Sequence, residues 1–109
     1  MDALQRGPLW DRVETAASMK GRLHVLYAGR VQGVGFRYTV KSLAPGFEVT
    51  GIIRNLPDGR VELVAEGQKE ELEAFQQAVR DSGLGRLIAR EDISWADASN
   101  EFRGFAIVS

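Results

Sequence analysis

A glycine-rich stretch from Gly29 to Arg37 combines the residue types best suited to binding a phosphate group. Its sequence is Gly-Arg-Val-Gln-Gly-Val-Gly-Phe-Arg, and it separates an apolar segment typical of a strand from one typical of a helix. Glycines leave the backbone open to close approach and tolerate positive φ angles. A loop of this kind that opens a helix presents unpaired N–H groups at the positive end of the helix dipole. We therefore predict an anion site here, with Arg37 supplying a planar cation suited to phosphate oxygens.

The same stretch does not match the common nucleotide-binding motifs. Phe36 and Arg37 follow Gly35, so the third glycine of the dinucleotide fingerprint is missing, and no Gly-Lys-Ser/Thr closes a P-loop. What remains is a short loop of about the right size for one phosphate group. From the pattern alone, a tight strand-to-helix turn with a solvated arginine stays an equally good interpretation.

Asn55 is the second candidate for chemistry. It continues the alternation of Phe47, Val49 and Ile53 to the end of a predicted strand, so we place it at the edge of a buried face. A neutral amide can both donate and accept hydrogen bonds, and it can therefore orient a water molecule. Asparagine before a turn also commonly caps that turn, and this alternative stays open from the residues alone.

The remaining polar residues receive no catalytic role. His24 lies in a predicted strand without an evident carboxylate partner, so we interpret it as structural. Arg30, Arg54 and Arg60 are interpreted as solvated surface arginines. Glu70, Glu71 and Glu73 are typical of the solvated face of a helix, and no carboxylate cluster indicates a metal site.

Composition narrows the possible functions. The chain has 109 residues, which suits one domain, and 14 basic against 15 acidic residues give a formal charge of −1. The absence of a broad basic field argues against nucleic acid as a partner. With no cysteine, disulfides, zinc–thiolate sites and cysteine nucleophiles are excluded. No apolar run approaches the roughly 20 residues of a membrane span, and the N-terminus lacks a secretory pattern. We expect a cytoplasmic protein without a membrane partner.

Hydrophobic periodicity indicates a βαββαβ order with an extra short strand at the end. Each predicted helix has one apolar stripe, and the third strand alternates so that one of its faces should be wet. The economical fold is α+β, a ferredoxin-like α/β sandwich with two helices on one face of an antiparallel sheet. The first predicted elements are a strand at Leu23–Ala28 and a helix that begins at Phe36 and is stopped by Pro45-Gly46. Strands at Phe47–Asn55 and Arg60–Glu66 follow, joined by the turn Leu56–Gly59. The last elements are a second helix from Gly67 to Ser82-Gly83 with the core stripe Leu72, Phe75 and Val79, a strand within Arg86–Ala96, and a short strand with Phe105 and Ile107.

Residues 1–21 differ from the rest of the chain. Pro8 could begin a short helix whose apolar side includes Trp10 and Val13. We interpret 1–21 as an N-terminal extension that is either peripheral or a consequence of start-site choice, because Met19 immediately precedes the first convincing strand. The functional domain is predicted to span 22–109.

The two candidate motifs together resemble the signatures of the acylphosphatase family. The first is Gly29–Arg37, and the second is Thr50–Val61, with the sequence Thr-Gly-Ile-Ile-Arg-Asn-Leu-Pro-Asp-Gly-Arg-Val. The resemblance extends over about 21–108 and includes Ala65-Glu66-Gly67 and Phe102-Arg103-Gly104-Phe105. It implies a ferredoxin-like sandwich that hydrolyses the carboxyl–phosphate bond of small acyl phosphates without a metal or cofactor.

The resemblance also implies roles for individual residues. Arg37 corresponds to the family's phosphate-binding arginine, and Asn55 corresponds to the asparagine that positions the attacking water. The amide cradle for the phosphate corresponds to the backbone of Gln32, Gly33, Val34, Gly35, Phe36 and Arg37.

Two other functions are alternatives to hydrolysis of acyl phosphates. A non-catalytic ferredoxin-like module could bind an anion or a partner protein, but it would not need the water-positioning amide of Asn55. Similar domains also serve larger enzymes, the hydrogenase-maturation carbamoyltransferases, but this sequence contains no second predicted domain. We therefore expect a stand-alone, monomeric acylphosphatase. The sequence leaves open which acyl phosphate it uses and whether phosphorylated proteins are substrates.

Overall fold

A computed structural model describes residues 20–109 and shows two helices packed on a five-stranded sheet. The helix proposed for the N-terminal extension lies outside the described residues. Short helical turns lie at Ala44–Gly46, Arg80–Leu84 and Gly85–Leu87. The main elements are β1 (Gly21–Gly29), α1 (Phe36–Leu43), β2 (Val49–Asn55), β3 (Val61–Gly67), α2 (Lys69–Val79), β4 (Ile88–Asp97) and β5 (Phe105–Ile107).

The strand order in the sheet is β4-β1-β3-β2-β5, which confirms the predicted ferredoxin-like arrangement. The first four strands pair antiparallel, as expected. The expectation of a wholly antiparallel sheet is wrong for β5, which pairs parallel with β2. The reason is geometric, because β4 ends at the end of the sheet where β2 begins. A connection along that end therefore brings β5 beside β2 in the same direction.

The core lies between the sheet and the two helices. The predicted stripe of α2, made of Leu72, Phe75 and Val79, is fully buried and so confirmed. In α1, Phe36 and Val40 face the sheet. Burial of a large apolar side chain contributes roughly 1.5–3 kcal/mol to stability, so these stripes fix the helices on the sheet. Facing them are the inward residues of the strands, which are Leu23, Val25, Tyr27, Ile53, Val61, Leu63 and Ala65.

The predicted wet face of β3 is wrong. β3 lies at the centre of the sheet, between β1 and β2. Side chains from both neighbouring strands and the segment 98–104 cover its second face. As a result Glu66 is only 3% exposed. His24 also has a carboxylate partner after all, because its Nε2 lies 2.8 Å from Oε2 of Glu62 on the neighbouring strand. Arg54 donates to the other oxygen of Glu62 from the opposite side, at 2.6 Å.

Candidate functional site

The glycine loop (residues 30–35) and Asn55 emerge at one end of the sheet. Tyr27 in β1 pairs with Val61 in β3, and Val61 pairs in turn with Asn55 in β2. These three residues therefore form one row across three neighbouring strands, which are spaced about 4.8 Å apart. We call this end of the sheet the upper end. The two predicted parts of the site thus leave the sheet at the same level.

Positive φ angles shape the backbone of the glycine loop. Gly33 has φ 77° and Gly35 has φ 78°, with Val34 between them. When residues in the left-handed backbone conformation alternate with residues of negative φ, successive N–H groups point toward one side. This arrangement makes a concave site for an anion. Gly35 is also the N-cap of α1, and it makes no side-chain capping bond. The first turn of α1 contains no acidic residue, so no carboxylate of that turn competes for the helix N-terminus.

Two buried side chains, Val31 within the glycine loop and Phe36 directly after it, flank an exposed middle. Val31 is 1% exposed and Phe36 is 2% exposed, and the ring of Phe36 packs 5.0 Å from the ring of Tyr27. In contrast, Gly33, Val34 and Gly35 face solvent. Within residues 20–109, no backbone N–H from Gln32 to Arg37 donates to a protein acceptor. The core therefore fixes the loop, and its middle presents unused donors.

Arg37 lies in the first turn of α1 and is half-buried. It forms no hydrogen bond or ion pair with any described residue. Arg54 and Arg60, which we interpreted as solvated, instead pair with local carboxylates. The Arg37 guanidinium is therefore unpaired within residues 20–109. The arginines of the described chain that pair with carboxylates are Arg22 with Glu66, Arg54 with Glu62, Arg60 with Asp58, Arg80 with Glu91, and Arg90 with Asp92.

Asn55 is the last residue of β2 and is half-buried. The turn after it is closed by backbone bonds, from Leu56 N–H to Arg60 O at 2.8 Å and from Gly59 N–H to Leu56 O at 3.1 Å. The Asn55 side chain takes no part in these bonds, which removes the support for a purely capping role. Its Oδ1 is buried and has no hydrogen-bond partner among the described residues. A buried amide oxygen of this kind needs a partner, and a water or a substrate can provide one.

The side chain of Gln32 is the feature that the sequence did not reveal. Its Nε2 donates to Leu56 O at 2.8 Å and to Arg60 O at 2.9 Å, so it ties the glycine loop to the β2–β3 turn (residues 56–60). The sequence predicted only a backbone role for this residue. Its acceptors are main-chain carbonyls 24 and 28 residues away, and the amino-acid sequence does not indicate which main-chain carbonyl a side chain will bind.

Comparison with known proteins identifies the family. The family model for acylphosphatase matches residues 23–107. The chain belongs to the acylphosphatase family. An acylphosphatase from Bacillus velezensis is 53% identical over 84 residues, which covers 77% of this chain and 93% of that protein. One from Salinibacter ruber is 40% identical over 86 residues, or 79% of this chain and 90% of that protein.

A solved acylphosphatase structure agrees with the fold. The Bacillus subtilis acylphosphatase superposes with a TM-score of 0.73 at 31% identity, covering 82% of this chain and 99% of that one. Together these findings confirm the predicted family, fold and acylphosphatase function. They give no support to the non-catalytic module.

The described residues lack two features, a membrane-spanning helix and a cluster of metal ligands. Residues 20–109 contain no helix that is both long and apolar enough to cross a membrane. In the same part of the chain, no group of three or more His, Cys, Asp or Glu side chains could hold a metal ion.

Proposed function

We propose that this acylphosphatase splits the carboxyl–phosphate bond of small acyl phosphates at the upper end of the sheet. The N–H groups from Gln32 to Arg37 and the Arg37 guanidinium hold the phosphate, and Asn55 holds the attacking water. The proposal rests on one observation above all. Among residues 20–109, a loop with unused N–H donors and an unpaired arginine shares an end of the sheet with a buried amide oxygen that has no hydrogen-bond partner.

Electrostatic stabilisation supplies most of the catalysis in this scheme. Phosphoryl transfer asks a protein mainly to position the reactants and to stabilise charge on the non-bridging oxygens. Donors that are fixed before the reaction achieve this without reorganising. The buried side chains of Val31 and Phe36 hold the glycine loop in place, so its N–H groups meet this requirement. Arg37 adds a charged fork on the same phosphate.

The attacking water is positioned by Asn55. Its Oδ1 accepts a hydrogen bond from water and directs a lone pair of the water oxygen toward phosphorus, opposite the leaving oxygen. A new P–O bond forms while the bond to the carboxyl oxygen breaks, and the carboxylate leaves with the electron pair. Carboxylic acids have a pKa of about 4, so the leaving group needs no acid. The proton of the water passes to a phosphate oxygen, so the reaction needs no His, Asp or Glu as a general base.

The test is hydrolysis of benzoyl phosphate by the purified chain in the presence of EDTA. We expect turnover, with inorganic phosphate acting as a competitive inhibitor. Phosphate should also shift the backbone amide resonances of Gly33, Gly35 and Arg37 in ¹⁵N NMR spectra. A folded protein that binds phosphate without hydrolysing benzoyl phosphate would instead be the non-catalytic module, and the proposed function would be lost.

A further inference from the structure

The side chain of Gln32 joins the two halves of the site. We infer that Gln32 is a positioning residue that sets the distance between the phosphate-binding loop and the water held by Asn55. This inference rests on the proposed function and extends it, because a side chain with no predicted role now couples phosphate binding to water placement.

The two acceptors of Gln32 lie on either side of the β2–β3 turn. Leu56 directly follows Asn55, and Arg60 directly precedes Val61, the residue paired with Asn55 in β3. Gln32 Nε2 bonds both carbonyls, at 2.8 and 2.9 Å, and thereby uses both of its N–H groups. A carboxamide held at two points has a fixed orientation. Gln32 therefore binds the backbone at both ends of the β2–β3 turn, beside Asn55.

The other side of the glycine loop is held by the segment that leads into β4. Arg30 N–H donates to Leu87 O at 2.9 Å, just before β4. The β2–β3 turn joins the two strands on the other side of β1 from β4. Among the described residues, the two Gln32 bonds are the hydrogen bonds that connect 30–35 with 56–60. Without them, only packing and the pairing of β1, β3 and β2 set the position of the loop relative to Asn55.

The chemistry at this position requires a side chain of this length with two donors. Methionine has a similar length and no donor. Glutamate would place a negative charge against two carbonyl oxygens. Asparagine keeps the amide but is one methylene shorter, about 1.5 Å, so its nitrogen could reach both carbonyls only by moving the loop.

A small change in this distance should affect turnover more than phosphate binding. The phosphate contacts lie within the loop itself, whereas attack by water depends on the gap between loop and turn. Misplacement of a reacting group by about 1 Å can cost on the order of 10²-fold in rate. We therefore expect Gln32→Met to lower kcat by about 10- to 100-fold, while the inhibition constant of inorganic phosphate changes only about threefold or less.

A double-mutant cycle separates this role from a purely structural one. The kcat for benzoyl phosphate is measured for the wild type, Gln32→Met, Asn55→Ala and the double variant, with folding checked by circular dichroism. If Gln32 acts through Asn55, its substitution should cost about threefold or less once the Asn55 side chain is absent. Gln77→Met is the matched control, because Gln77 is exposed on α2, donates to Asp81, and should leave kcat unchanged when replaced.

Two results would overturn the inference. One is an unchanged kcat in folded Gln32→Met, and the other is an equal loss in the presence and absence of the Asn55 side chain. If Gln32→Met does not fold, Gln32→Asn replaces it in the same cycle, with the same two outcomes deciding. An inactive wild type would show that the proposed function itself has failed, whereas an active wild type with additive losses removes only the role of Gln32.

Discussion

Each end of the sheet has a loop whose backbone N–H groups lie beside an arginine, and the two loops differ in which anion they serve. At the end opposite the glycine loop, residues 98–104 connect β4 to β5. There the N–H groups of Ser99 and Asn100 donate to the carboxylate of Glu66 at 2.8 and 2.9 Å. Arg22 Nε donates to the same carboxylate at 2.8 Å. At the upper end, the N–H groups from Gln32 to Arg37 have no acceptor within residues 20–109.

The difference teaches that the same donors can serve structure or function. Around Glu66 the anion belongs to the chain, so its site is filled in the folded state and anchors the loop that leads to β5. Burial alone would raise the pKa of Glu66, but hydrogen bonds from Ser99, Arg22 and Asn100 outweigh burial and leave that pKa below its usual value. At the upper end we propose that the substrate brings the anion, so the donors stay available until it binds.

The largest expected effect comes from removing Arg37, the cation that we propose binds the phosphate. Arg37→Ala should lower kcat/KM for benzoyl phosphate by about 10³-fold or more, as for other arginines that stabilise phosphoryl transfer. Stability should change little, because Arg37 has no partner in the described chain. Steady-state kinetics measure the loss. Arg30→Ala is the matched control in the same loop, and a comparable loss there would indicate a general charge effect rather than a specific contact.

Asn55→Ala tests the water-positioning part of the upper end. Losing one positioning group should reduce kcat by at least about 10²-fold, since the attacking water is no longer aligned. The inhibition constant for inorganic phosphate should remain close to that of the wild type, because the loop donors are intact. A variant that keeps full kcat would contradict the assignment of Asn55.

At the end of the sheet opposite the glycine loop, around Glu66, the expected effect is on stability. Glu66→Gln removes the internal anion and should lower the unfolding free energy by about 1.5–3 kcal/mol at pH 7, the range for hydrogen bonds to a charged group. A depressed carboxyl pKa adds stability above its unfolded value of about 4.3, and that stability is lost as pH falls through the folded pKa. The difference between wild type and variant should therefore shrink as the pH drops toward 3.

Urea unfolding across this pH range measures the effect of Glu66→Gln. The conservative control is Glu73→Gln, on the exposed side of α2. Unchanged kcat in folded Glu66→Gln would support the separation of the two ends. A large loss of activity without a loss of stability would show that the two ends are coupled.

The smallest expected effect concerns the backbone of the glycine loop. An added Cβ at Gly35 meets no atom within 4 Å, so the cost of Gly35→Ala comes from its φ of +78° alone. Such strain is worth about 1–2 kcal/mol in unfolding free energy. Gly46→Ala is the control, because it also has open space and lacks a positive φ. Equal thermal midpoints for the two variants would contradict this explanation.

Much of the fold followed from the sequence because its signals are local. Alternating apolar residues identified the strands, and the spacing of Leu72, Phe75 and Val79 identified the buried stripe of α2. The site residues Arg37 and Asn55 also came from the sequence, through the two motifs and their family resemblance. Their roles remain predictions, and the described geometry of the loop and of β2 is compatible with both.

The sequence by itself determined the order of elements and the residues that carry the proposed chemistry. Only the tertiary structure decided which donors are already occupied. Glu66 is buried because three strands and the 98–104 loop meet around it. Gln32 reaches two main-chain carbonyls, which every residue type has and which the sequence therefore does not single out. These contacts join residues tens of positions apart, and main-chain acceptors leave no trace in composition or periodicity. The sequence thus identified the glycine loop. The fold showed that its N–H groups have no acceptor within residues 20–109, whereas the N–H groups of Ser99 and Asn100 bind Glu66.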